Sequence, residues 1–164
     1  MMDLVDYLSA IVRLGGGEVV GKTRLQKIAY LLEAKDIGYG DIDFDYHNYG
    51  PFSSELAFAA DDAESLGYLE TEERQGFHAV PYIVFKSTED SPKFNDDNTA
   101  VRKAALELMI GYSALVLELA ATAVFLKKNG YQNDFWEEVK KRKPLKATPK
   151  RKDLAEQLMA ELDL

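Results

Sequence analysis

The chain has 164 residues, a formal net charge of −8 and no cysteine. That length suits one domain with short appendages, and 46% hydrophobic residues can bury a core without staples or metals. The missing cysteines exclude disulfides, thiolate nucleophiles and thiolate metal sites, which fits a reducing, cytoplasmic setting.

The first elements are read from apolar spacing. Residues 3–14 put Leu4, Leu8, Ile11 and Val12 on one helical face, and Gly15-Gly16-Gly17 ends that helix as a linker. The opening Met-Met-Asp-Leu-Val-Asp has no basic leader before an apolar run, so it does not read as a signal peptide. Thr23 and Gln26 have the spacing of a capping box for a second helix, whose buried stripe is Leu25, Ile28, Ala29 and Leu32.

Residues 42–49 alternate. Ile42, Phe44 and Tyr46 share one strand face, Asp43, Asp45 and His47 the other, and Gly50-Pro51 is expected to break the strand. Ser53 is the expected N-cap of a third helix running to about Leu66, with Glu55 in its first turn and Gly67 as its stop. Runs near 68–73 and 79–87, joined through Gln75-Gly76, read as a hairpin.

Helix resumes at Asp97. Val101, Ala104, Ala105 and Leu108 form one stripe, and Leu115, Leu119, Thr122 and Leu126 continue it beyond Gly111, until Asn129-Gly130. The stretch 104–126 is apolar, but Glu107 and Glu118 keep it short of the roughly 18 apolar residues of a membrane span. Asp134 with Glu137 suggests a capped short helix carrying Phe135, Trp136 and Val139. Pro144 and Pro149 bound a loop, and Thr148-Pro149 opens a last helix with Leu154, Leu158 and Leu162 in line.

The order helix, helix, strand, helix, hairpin matches a winged-helix plan. The expected fold is therefore α+β and mainly helical, with a winged-helix-like core over 1–90 and a C-terminal helical layer over 91–164 packed on the same domain.

Charge is unevenly distributed. Between Lys140 and Lys152 lie eight Lys or Arg and no acid, while the rest of the chain carries twelve bases against 28 acids. The basic segment is a candidate contact for something anionic, although a solvated linker is the simpler reading. The acidic remainder argues for a basic partner and against broad nucleic-acid binding.

No combination of residues supplies nucleophile, base and orienting group together, so no catalytic residue is assigned and the chain is read as non-enzymatic. His-Glu-x-x-His, Gly-x-Ser-x-Gly and a phosphate-binding glycine loop are all missing. Asp43, Asp45 and His47 could converge on a cation, but same-face neighbours on a strand stand roughly 7 Å apart, too wide for a tight shell. They read as a solvated face, and no metal or cofactor is assigned.

DNA binding is the rival to a protein-binding role, because the third helix of a winged helix commonly enters the major groove. Here Ser53–Leu66 carries Glu55, Asp61, Asp62 and Glu64 and no base. Carboxylates facing phosphates repel, whereas affinity needs bases that displace counterions. Lys22, Arg24 and Lys27 offer only a thin basic footprint. Protein recognition suits the first half better, where Tyr30, Tyr39, Phe44, Tyr46, Tyr49, Phe52, Phe58 and Tyr68 concentrate aromatic surface. Most such rings fill a core, but amphipathic tyrosines also suit an interface. Gln26 and Lys27 share a helix with Tyr30 and could orient the aromatic loop from inside or meet a partner from outside.

Two motifs carry a resemblance. Lys22-Thr23-Arg24-Leu25-Gln26-Lys27-Ile28-Ala29-Tyr30-Leu31-Leu32 resembles a signature helix of the SocA-like antitoxin family, the Panacea domain, and YwgA-like proteins carry a similar helix. Phe44 to Leu56, including Tyr46, Tyr49, Gly50, Pro51 and Phe52, resembles the aromatic-Gly-Pro element of the same family, and Leu66-Gly67-Tyr68-Leu69 sits where that family passes from its third helix into its hairpin. The likeness covers residues 4–90, with Leu117–Thr122 similar in character. It implies an antitoxin or phage-associated adaptor that neutralises a protein partner, a toxin encoded nearby. The residues expected to carry structure or binding are Gln26, Lys27, Tyr30, Tyr46, Tyr49, Gly50, Pro51 and Phe52. The competing expectation is a DNA-associated winged-helix transcriptional regulator.

Overall fold

The structure, a computed structural model, describes residues 2–164. Helix α1 spans Leu4–Leu14, and the Asp6 N–H donates to Asp3 Oδ1 at its start. Leu8, Ile11 and Val12 are buried as their spacing predicts. The glycines that follow do more than end the helix. Gly16 and Gly17 take φ of +99° and +88° and turn the chain into a short strand, β1 (Glu18–Val20). Three residues are too few to show alternation, and the partner strand lies far along the chain, so periodicity could not reveal it.

Helix α2 (Lys22–Ala34) follows, then a small hairpin of β2 (Asp45–His47) and β3 (Gly50–Phe52), then helix α3 (Ser54–Ser65). Strands β4 (Leu69–Gln75) and β5 (Pro81–Ser87) form the second hairpin. The main sheet has the order β1-β5-β4, antiparallel throughout. With seven helices around two small antiparallel sheets among the described residues, the chain is α+β and mainly helical.

The third helix begins as its sequence predicts. The Leu56 N–H donates to Ser53 Oγ, and Gly67, at φ +78°, lets the chain leave the far end. The expected break at Gly50-Pro51 does not occur. The chain instead turns at Asn48-Tyr49 and pairs back on itself, Asp45 opposite Phe52 and His47 opposite Gly50. Proline is tolerated because this ladder has only two strands and needs no N–H there. The predicted alternation over 42–47 holds in burial, although only Asp45–His47 is strand.

The remaining helices are α4 (Thr99–Ile110), α5 (Ala114–Lys128), α6 (Phe135–Arg142) and α7 (Pro149–Glu161). Thr148 caps α7 by accepting the Arg151 N–H, with Pro149 in its first turn. Asp134 precedes α6 without a side-chain cap bond. The predicted stripe on α4 is rotated: Val101 is 45% exposed, while Arg102 is 5% exposed. Arg102 is held by Asp96, at 2.6 Å, and by the Ile37 carbonyl, and it lies over the Phe94 ring. A paired guanidinium with aromatic cover can occupy a core position that spacing would assign to an aliphatic residue.

Two helices are sunk in the protein. Helix α2 is buried without interruption from Leu25 to Leu32, and α5 from Val116 to Val124. They pack side by side, and α5 also meets β3, α6 and α7. One hydrophobic cluster runs from Tyr7 through α2 and α5 to Leu162.

Candidate functional site

The two motifs meet where α2 passes beneath the β2–β3 hairpin. Gln26 is buried, and its amide makes two bonds to one residue: the Ser53 N–H donates to Oε1 and Nε2 donates to the Ser53 carbonyl, both at 2.9 Å. The expected capping box with Thr23 is therefore not formed. Gly21 is the N-cap of α2, without a side-chain cap bond. Gln26 is committed to a tertiary contact that satisfies the buried Ser53 N–H and adds a second bond to a carbonyl that also accepts the Ala57 N–H, a stronger requirement than a local cap.

Lys27, one residue on, is 1% exposed. Its Nζ donates to the Pro51 carbonyl at 2.8 Å. Burial pulls its ammonium down to about 8, with Lys143 and Lys146 adding to the fall and Glu118 opposing it. Gly50 stands directly above. Its φ of +90° is one that side-chain-bearing residues rarely adopt, and a Cβ there would lie 2.6 Å from Thr122 Oγ1 of α5. The hairpin seats on α5 only because residue 50 has no side chain.

The basic segment closes the arrangement and corrects the solvated-linker reading. Lys143, just past α6, is buried; its Nζ donates to the Asn48 carbonyl and lies 2.9 Å from Glu118 Oε2. Lys146 reaches the same carboxylate at 3.0 Å and lies over the Tyr49 ring. Arg142 stacks on Tyr46, 4.6 Å from its ring centre. The anionic contact of Lys143 and Lys146 lies inside the protein, on Glu118 of α5, while Arg142 pairs with Glu138 of its own helix. The hairpin is gripped from below by α2, on one flank by α5 and from the far side by the α6–α7 connection.

The predicted residues thus take different positions. Gln26, Lys27, Gly50 and Pro51 are buried and form the grip. Tyr30 is buried, edge-on to Phe44 at 5.1 Å. Tyr46 and Phe52 are half-buried, and Phe52 stacks on His47 at 4.8 Å. Tyr49, with Lys146 over its ring, is 58% exposed, the one exposed residue of the set. Glu118, Thr122, Lys143 and Lys146 belong to the same cluster but escaped prediction as its members. A single glutamate in an apolar helix signals a buried charge, but nothing in the sequence names its partners.

Beside the hairpin lies a groove of about 290 Å³ between α2 and α3, walled by Leu25, Phe52, Leu56, Ala57, Ala60 and Phe85. Lys27 and Gln26 border it from α2, and Tyr49 and Asp61 also line it. Asp43, Asp45 and His47 are exposed. Among the described residues, no group of three His, Asp or Glu is arranged to hold a metal ion.

This chain resembles a known bacterial protein. It is 25% identical over 111 residues to the uncharacterized protein YwgA of Bacillus subtilis (strain 168). The match covers 66% of this chain and 66% of that protein. No protein-family model matches the chain. A relationship to YwgA-like proteins is therefore supported, and its reach is about two thirds of each chain. Among the described residues, no helix is long and apolar enough to cross a membrane.

Proposed function

We propose that this chain is a non-catalytic protein-binding module of the SocA-like, Panacea-domain type, an antitoxin or adaptor that neutralises a cognate toxin in the cytoplasm. The observation that carries the reading is the charge on the element a winged helix would offer to DNA. Glu55, Asp61, Asp62 and Glu64 of α3 are all exposed, and so are Glu70 and Glu73 on the neighbouring β4, where Glu72 is paired with Arg74 and Lys86. Such a face repels phosphate and attracts a basic protein surface. The motif residues support the reading differently: they build a rigid seat for the hairpin, and Tyr49 is left standing out of it.

The test is co-expression with the product of the adjacent gene. Stoichiometric co-purification and restored growth are the expected results. Recovery of the chain alone, with no relief of toxicity, would overturn the proposal.

The element order favours a second reading, a DNA-associated regulator. Its proposed footprint is thin: Lys22 is exposed, but Arg24 donates to the Tyr112 carbonyl at 2.8 Å and Lys27 is buried. Salt-sensitive binding to duplex DNA, lost when Lys22 and Arg24 are neutralised, would favour the regulator over the antitoxin.

A further inference from the structure

Helix α3 presents two unlike faces next to one another. Leu56, Ala57 and Ala60 wall the apolar groove, while Phe58 points away and is 68% exposed. Glu55, Asp61 and Asp62 lie three or four residues from Phe58, so its ring is framed by carboxylates on the same helical face. Among the described residues no cation forms an ion pair with these three carboxylates. Asp61 belongs to both faces, since it also lines the groove. A largely exposed phenyl ring flanked by unpaired acids is well suited to a cationic visitor, which can lie over the ring and pair with the carboxylates together.

The groove specifies the rest of the occupant. At about 290 Å³ it lies just below the roughly 300 Å³ at which pockets for drug-sized molecules begin. Its walls are aliphatic and aromatic, so it fits one bulky apolar side chain better than a whole ligand. Anchors of this kind, buried at the centre of a patch with charges around them, dominate protein interfaces. Lys22 stands on the opposite rim, so the occupant's bases belong on the α3 side only.

We propose that the α2–α3 groove and the outward face of α3 form one docking surface for a basic amphipathic segment of a partner protein. An apolar anchor enters the groove, and arginine or lysine side chains meet Phe58, Glu55, Asp61 and Asp62. This rests on the protein-binding reading above and assigns it a surface and a partner chemistry.

The test uses the full chain, labelled with nitrogen-15, and a synthetic peptide of alternating leucine and arginine. Amide shifts should gather on α3 and on the α2 residues that line the groove. The same peptide with glutamate in place of arginine should leave them unmoved. Asp61→Lys combined with Asp62→Lys should weaken binding roughly tenfold or more, since two attractive pairs become repulsive. Phe58→Ala should weaken it roughly threefold while leaving the unfolding curve in place, because the ring is exposed. Shifts that gather elsewhere, an equal response to the glutamate peptide, a duplex DNA that moves the same α3 amides, or full affinity in the charge-reversed variant would each overturn the proposal. The two readings separate cleanly. If the adjacent gene's product is captured equally by wild type and the charge-reversed chain, this surface is wrong and the antitoxin reading stands. If that product is never captured while the arginine peptide docks on α3, the surface stands and the antitoxin reading falls.

Discussion

Glu118→Gln removes the carboxylate that Lys143 and Lys146 share beneath the hairpin. Glu118 and Lys143 are each 3% exposed at the side chain and lie 2.9 Å apart; Lys146, 33% exposed, shares the same oxygen at 3.0 Å. Breaking a buried ion pair by neutralising one partner costs about 3–5 kcal/mol, because the other charge stays desolvated and unpaired. Glutamine keeps the shape and still accepts a hydrogen bond, which sets the expected loss near the lower end, about 3 kcal/mol. The Lys146 contact adds less than about 1 kcal/mol, since water already screens it. Against a domain stability of about 5–15 kcal/mol the variant should still fold. Urea unfolding followed by circular dichroism should show a midpoint lowered by about 1–2 M, taking a slope of about 2 kcal/mol per molar. Adding Lys143→Met removes the stranded ammonium and should recover at least about 1 kcal/mol, even though the Asn48 carbonyl loses its donor. A Glu118→Gln midpoint equivalent to less than about 0.5 kcal/mol from wild type would refute the claim that this carboxylate holds the grip together.

Lys27 makes a pH prediction. Its folded-state value of about 8 lies below the ordinary 10.5, so the folded chain releases this proton before the unfolded chain does. Stability from this group therefore rises between pH 8 and pH 10.5, by up to about 1.4 kcal/mol per pH unit, and is lost as pH falls through 8. Wild type should gain on Lys27→Met across that window in urea titrations, and a constant difference would sink the assignment. Gly50→Ala should cost about 3 kcal/mol, part from the positive φ and part from the clash with Thr122. A second change, Thr122→Ala, should recover only the clash, whereas full recovery would show that the backbone angle imposes nothing. Gln26→Ala leaves the buried Ser53 N–H unpaired, while the Ser53 carbonyl keeps the Ala57 N–H, and should lower stability by about 2 kcal/mol. A loss below about 1 kcal/mol would mean that water replaces the amide.

Local sequence determined most of the elements, because their causes are local. The Ser53 and Thr148 caps, the Gly67 and Gly130 stops and the 3.6-residue stripe of α1 each depend on neighbours within a turn or two. The acidic character of α3 was equally legible, since every residue of that helix lies in one stretch of chain. Tertiary structure alone decided how those elements are used. Gln26 had a local partner in Thr23 and bonded Ser53 instead, because a buried backbone N–H with no other partner outweighs a helix cap that water can replace. The basic segment looked solvated until Glu118, more than twenty residues earlier, gave Lys143 and Lys146 a buried counter-charge. Pairing of charges and close approach of a glycine to another helix join residues far apart in the chain, and no periodicity records such distances.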